Sequence, residues 1–183
     1  MPGKGIIVER PGGWTLIRIH HRTHDPLYFS RQDEGRFNAP HGEFGVCYFG
    51  DTLASALLET LIRSSKYLVV PRRELATRFA TTFELSRPVR LLQLHSAGLV
   101  TLRLSAAFPH AVPYGECQSL SAEICNRQDV DGIEYRCCWD DSLFCVALFD
   151  RAPDSLRVIG DPIPLDDLHH IRPVLKAYDI GVI

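Results

Sequence analysis

The stretch Ser142 to Phe149, SLFCVALF, is apolar almost without interruption. Such a run reads as a central strand covered on both faces, so the chain needs a sheet around it and layers on either side. Candidate neighbours are plentiful. Trp14–His20 alternates, with Thr15, Ile17 and Ile19 on one face and Leu16, Arg18 and His20 on the other. The β-branched face is expected in the core, leaving Arg18 on the opposite side. Further strands are expected over Gly45–Asp51, Phe79–Leu85, Val89–Leu94, Ile133–Cys137 and Leu156–Ile163.

Helices interleave with these strands. Asp51 is a fitting N-cap for TLASALLETLIR, whose expected buried stripe is Leu53, Ala56, Leu57 and Leu61. Glu59 falls off that stripe. Shorter helices are expected over Arg72–Arg78 and Glu116–Asn126, with a Leu-rich piece over Gly98–Leu104. A last helix, Leu165–Ala177, should break or kink at Pro173. Residues 21–44 form a long irregular segment, of the kind that carries function in compact domains. Without regular βαβ spacing, the pattern is α+β: a single domain with a mixed or largely antiparallel sheet and flanking helices. Residues 1–13 read as an N-terminal extension to a domain spanning 14–183.

Composition narrows the function. Lys plus Arg number 20 and Asp plus Glu 22, a net charge of −2. That balance argues against binding nucleic acid through bulk positive charge. Neither a signal-like apolar run at the N-terminus nor a membrane-length apolar segment is found, so a cytoplasmic location is expected. The six cysteines then read as reduced thiols. They include no C-x-x-C, and side chains of the adjacent Cys137 and Cys138 splay apart on a strand. His20, His21 and His24, and the pair His169 and His170, lack evident partner ligands, so no metal is expected. The glycine-rich dinucleotide, P-loop, zinc-protease and nucleophile-elbow motifs are all missing.

One segment rises above this background: Gly35 to Leu61, GRFNAPHGEFGVCYFGDTLASALLETL. It reads as Gly-Arg-aromatic-Asn, a Pro/Gly loop, a strand carrying Tyr48, and a helix carrying Glu59. Twelve positions separate Arg36 from Tyr48, and eleven separate Tyr48 from Glu59. Together with Leu16–His20, Asp25-Pro26 and the late Asp131–Arg136, this pattern resembles the RES domain family. The resemblance implies an ADP-ribosyltransferase-like fold that takes NAD as a substrate rather than as a cofactor. It also implies a bacterial toxin, partnered by an antitoxin with a helix-turn-helix domain, that hydrolyses or phosphorolyses NAD or transfers ADP-ribose. A homo-oligomer is compatible with it.

The residue chemistry agrees with that implication. A pyrophosphate calls for fixed cations, and the planar fork of Arg grips phosphate through two bonds; Arg36 and Arg18 are the candidates. Breaking the nicotinamide–ribose bond builds positive charge on the sugar, which a carboxylate stabilises; Glu59 fits. Tyr48 offers an aromatic platform for the nicotinamide ring. Gln118, at the start of the helix after the Pro loop, is a substrate-side candidate. One departure stands out. The family's serine is expected where this chain has Cys137, a poorer hydrogen-bonding group, with Ser142 as an alternative. Two further readings stay open: a RES-fold binding module without catalysis, and a thiol-dependent enzyme using Cys137 or Cys138.

Overall fold

In the computed structural model, which describes residues 5–62 and 67–183, the apolar run becomes the strand Phe144–Phe149, buried from Cys145 onward. In chain order the strands are β1 (Ile7–Arg10), β2 (Thr15–His21), β3 (Val46–Gly50), β4 (Val69–Val70) and β5 (Arg78–Leu85). They continue with β6 (Val89–Leu94), β7 (Gly132–Arg136), β8 (Phe144–Phe149), β9 (Leu156–Pro164) and β10 (Gly181–Val182). Eight of them form one sheet in the order β1-β6-β7-β8-β3-β2-β5-β9, and β10 and β4 pair separately. Within the large sheet only β6 and β7 run parallel. The helices are α1 (Leu53–Leu57), α2 (Arg72–Leu75), α3 (Ser96–Leu102), α4 (Gly115–Cys125) and α5 (Leu168–Ala177). The whole is the mixed α+β single domain expected from the pattern.

The two-sided burial of β8 sets the layers. Cys145, Ala147 and Phe149 join Leu57, Leu58, Ile62, Ile124 and Ile171 from the helices in one core cluster. Val146 and Leu148 join Leu16, Cys47 and Phe83 in a second, with Leu27 and Phe29 of the irregular segment packed against it. Long loop residues therefore cover the face that the helices leave bare. The same division corrects the expectation for β2. Leu16 is fully buried in the second cluster while Ile19 packs in the first. Both faces of that strand are core.

Three local expectations also change. Residues 1–13 are not simply an extension, because Ile7–Arg10 forms the edge strand β1 and pairs with Val89–Leu92. Four residues are too few for periodicity to reveal, and the pairing partner is far away in sequence. The N-cap of α1 is Thr52, whose side chain accepts from the Ser55 N–H in a capping box. Asp51 instead accepts from Ser55 Oγ at 2.8 Å. After Leu57 the helix widens into a π turn over Leu58–Ile62. That extra residue per turn rotates the buried set to Ala56, Leu57, Leu58 and Ile62, leaving Leu53 and Leu61 only partly covered.

Arg72–Arg78 shortens to α2 because Arg78 already belongs to β5. Pro173 lies inside α5 without ending it. The loss of one helical hydrogen bond is offset by burial of Ile171 and Leu175 on the inner face. Among the described residues, no helix is long and apolar enough to cross a membrane.

Candidate active site

The site begins with a turn, Gly35-Arg36-Phe37-Asn38, closed by the Asn38 N–H on the Gly35 carbonyl at 3.2 Å. Four side chains hold it. The Tyr48 hydroxyl, projecting from β3, accepts from the Phe37 N–H at 2.8 Å and donates to Asn38 Oδ1 at 2.8 Å. Gln118 on α4 donates to the carbonyls of Asp33 at 2.6 Å and Gly35 at 3.1 Å. One helical turn on, Ser121 Oγ donates to the Phe37 carbonyl at 2.7 Å. The Asn38 amide donates to the Gln32 carbonyl. Only glycine fits at 35, since a Cβ there would lie 2.1 Å from Asn38 Oδ1 and 2.8 Å from the Tyr48 hydroxyl.

This bracing aims Arg36 inward. Its side chain is 2% exposed, and its Nη2 lies 3.6 Å from Glu59 Oε2. The guanidinium carbon is 5.2 Å from the centre of the Tyr135 ring and 5.9 Å from that of Phe37. Nε and Nη1 are buried without a hydrogen-bond partner. Burial opposes the charge, yet the acidic groups around it, Tyr135 and Glu59 foremost, hold its pKa above the ordinary value.

Glu59 sits on the π turn, and its side chain is only 11% exposed. The helical repeat places it on the wet face, but there the Arg36 side chain and the Cys138 backbone cover it. Its Oε1 accepts the Cys138 N–H at 2.7 Å. Beside it lies a cavity of about 30 Å³, lined by Ile17, Ile19, Tyr48, Glu59 and Tyr135 among others. That is room for about one water or ion, against several hundred Å³ for an open ligand pocket.

Cys137 and Cys145 lie on the same side of the sheet, buried near Glu59, while Cys138 is exposed. The neighbouring thiols of Cys138 and Cys145 draw the pKa of Cys137 down. Proximity to Cys137, with burial, raises the pKa values of Cys138 and Cys145.

Of the residues singled out in the sequence, Arg36, Glu59, Tyr48, Gln118 and Cys137 meet here. Arg18 does not. Ile17 and Ile19 line the cavity, so the side chain between them leaves by the other face of β2, where its Nη1 donates to the Pro26 carbonyl at 2.7 Å. Gln118 and the Tyr48 hydroxyl are engaged in holding the Arg36 turn. Sequence reasoning passed over Asn38, Ser121, Tyr135 and Cys145. Asn38 stood in the Gly-Arg-aromatic-Asn run and Tyr135 in the late Asp131–Arg136 segment. Ser121 and Cys145 carry no local signal. Cys145 arrives through the β7–β8 register, opposite Tyr135.

An α+β sheet protein with a buried arginine–glutamate pair, held by a strand tyrosine and a π turn, is the class these features define. The RES domain model matches residues 15–167, and the chain belongs to that family. A chain of the crystal structure of the M. tuberculosis MbcT–MbcA toxin–antitoxin complex has the same fold. Its TM-score is 0.69, with 89% of this chain and 92% of that one covered, at 14% identity. No curated protein matches the sequence. Strand β1 lies outside the residues matched by the family model.

Proposed function

We propose that this protein consumes NAD by cleaving its nicotinamide–ribose bond. One observation carries the reading: a fully buried guanidinium with two unpartnered nitrogens, held against a carboxylate. Buried donors without partners cost roughly 1–3 kcal/mol each, so they mark places where the chain gives up stability for a ligand. The oxygens of a pyrophosphate match those donors. Glu59, next to them, is positioned to offset the positive charge that builds on the ribose as nicotinamide leaves. The Tyr48 ring lines the same cavity and offers a face to the nicotinamide ring. Water, phosphate or a protein side chain then takes the ribosyl carbon, making the protein a glycohydrolase, a phosphorylase or an ADP-ribosyltransferase.

Family membership and the toxin–antitoxin neighbour support a toxin role, with an antitoxin bearing a helix-turn-helix domain as partner. The reaction is tested by mixing the protein with NAD, with and without phosphate, and following free nicotinamide. Release is expected. Its absence under every acceptor condition, with no growth defect on expression, overturns the proposal.

The small cavity favours one second reading, a nucleotide- or protein-binding module without turnover. Calorimetric NAD binding without nicotinamide release would select it.

A further inference from the structure

We propose that Glu59, Cys137 and Cys145 form a binding site for a thiophilic divalent cation of the zinc class, and that filling it switches the protein off. One ligand atom from each of the three lies within 4.8 Å of the others. A tetrahedral zinc with bonds of about 2.3 Å to sulfur needs donors roughly 3.8 Å apart. Side-chain rotations of about an ångström therefore close the site without moving the backbone.

The placement is built into the sheet. Tyr135 and Cys145 are directly paired between β7 and β8, and the Cys137 N–H bonds the Leu143 carbonyl at 3.1 Å. Cys137 and Cys145 therefore share the helix-side core, where Glu59 descends from the π turn. Cys138 lies at the exposed end, with its N–H on Glu59 Oε1. It marks the entry side, from which water can fill the fourth coordination position.

Donor chemistry and charge both fit. Two thiolates and one carboxylate suit zinc or cobalt far better than magnesium or calcium. As the metal–sulfur bonds form, the two thiols release their protons to solvent. The dication and three anionic ligands leave one negative charge, which Arg36, already 3.6 Å from Glu59, neutralises. Cys137 supplies the second soft donor at the position where the family resemblance anticipates serine.

The inhibitory half rests on the NAD-cleaving reading, because a metal on Glu59 ties up the carboxylate oxygens that would otherwise offset the positive charge of the transition state. The binding half stands without that reading. The test uses the reduced full-length chain, stripped with a chelator and titrated with Co²⁺ alone. One equivalent should bind and give a thiolate-to-cobalt charge-transfer band, and Zn²⁺ should bleach it. Cys137→Ser, close in shape to the native residue, should weaken binding at least tenfold. Cys47→Ser, on the opposite face of the sheet, should leave it unchanged. Absence of the band, or a band of equal strength in Cys137→Ser, overturns the site. If Co²⁺ binds and no acceptor condition yields nicotinamide, the site stands and the enzymatic reading fails. Should both hold, one equivalent of Zn²⁺ should suppress nicotinamide release and chelator restore it; persistent release at full occupancy overturns the inhibitory half.

Discussion

Arg36 and Glu59 face each other across 3.6 Å, and almost everything else at the site keeps them there. Glu59→Gln preserves shape but removes the charge. Nicotinamide release should fall by about 10² or more, and the thermal midpoint should drop as well, because buried Arg36 loses its carboxylate partner. Tyr48→Phe removes both hydroxyl bonds to the Arg36 turn. Unfolding in urea should show a loss of about 1–2 kcal/mol, accompanied by reduced turnover. An unchanged turnover would separate the turn's geometry from catalysis. Arg36, Tyr48 and Glu59 were legible because they lie in one short run whose spacing carries the family pattern. Cys145 was not, because its approach to Glu59 depends on the register of two strands, which sequence spacing does not record. Arg18 misled for the opposite reason. Charge and position suggested phosphate contact, but alternation along β2 sends it to the other face.

The helix after β3 shows where periodicity alone gives out. A 3.6-residue repeat places Leu53 and Leu61 inside and Glu59 outside. The π turn adds a residue and buries Leu58 and Ile62, while Glu59, on the side away from Leu57, is covered by Arg36 instead of solvent. The entry to this element is fixed by the Thr52–Ser55 capping box. Thr52→Ala should lower stability by about 1 kcal/mol, measured by denaturant unfolding. It should also lower turnover, since fraying at the cap loosens the turn that carries the carboxylate. Strand existence was legible in nearly every large strand, from alternation or from continuous apolarity. Three strands were missed: β4 and β10, two residues each, and β1, which is four residues long and takes its meaning from β6.

At the scale of the whole molecule, β1 does more than extend the sheet. Arg10 donates to Glu134 at 2.6 and 2.8 Å, and His95 meets the same carboxylate at 3.0 Å. Glu134 is fully buried. Burial pushes its pKa up, but the bonds from His95 and Arg10 outweigh it and hold it below 4.5. A depressed carboxylate stabilises the fold above its unfolded value and loses that contribution as pH falls through the folded one. His20 adds to the trend at higher pH. Burial lowers its pKa below 6.5, so protonation favours the unfolded chain as pH drops past that value. Thermal midpoints should therefore decline in two stages on acidification, the first below about pH 6.5 and the second below about 4.5. Arg10→Ala should cost about 3 kcal/mol near neutrality, read from urea midpoints, because it strips a buried charge of its main partner.

The sheet's far border, β9, has a different consequence. Gly160, at φ +69°, begins a bulge against β5, and Pro162 and Pro164 follow it without N–H groups. With β1 only four residues long at the opposite border, neither rim offers a straight ladder of free donors. Copies of the chain crowded together during high expression thus lack a template for end-to-end polymerisation, and concentrated solutions should stay clear rather than form fibres.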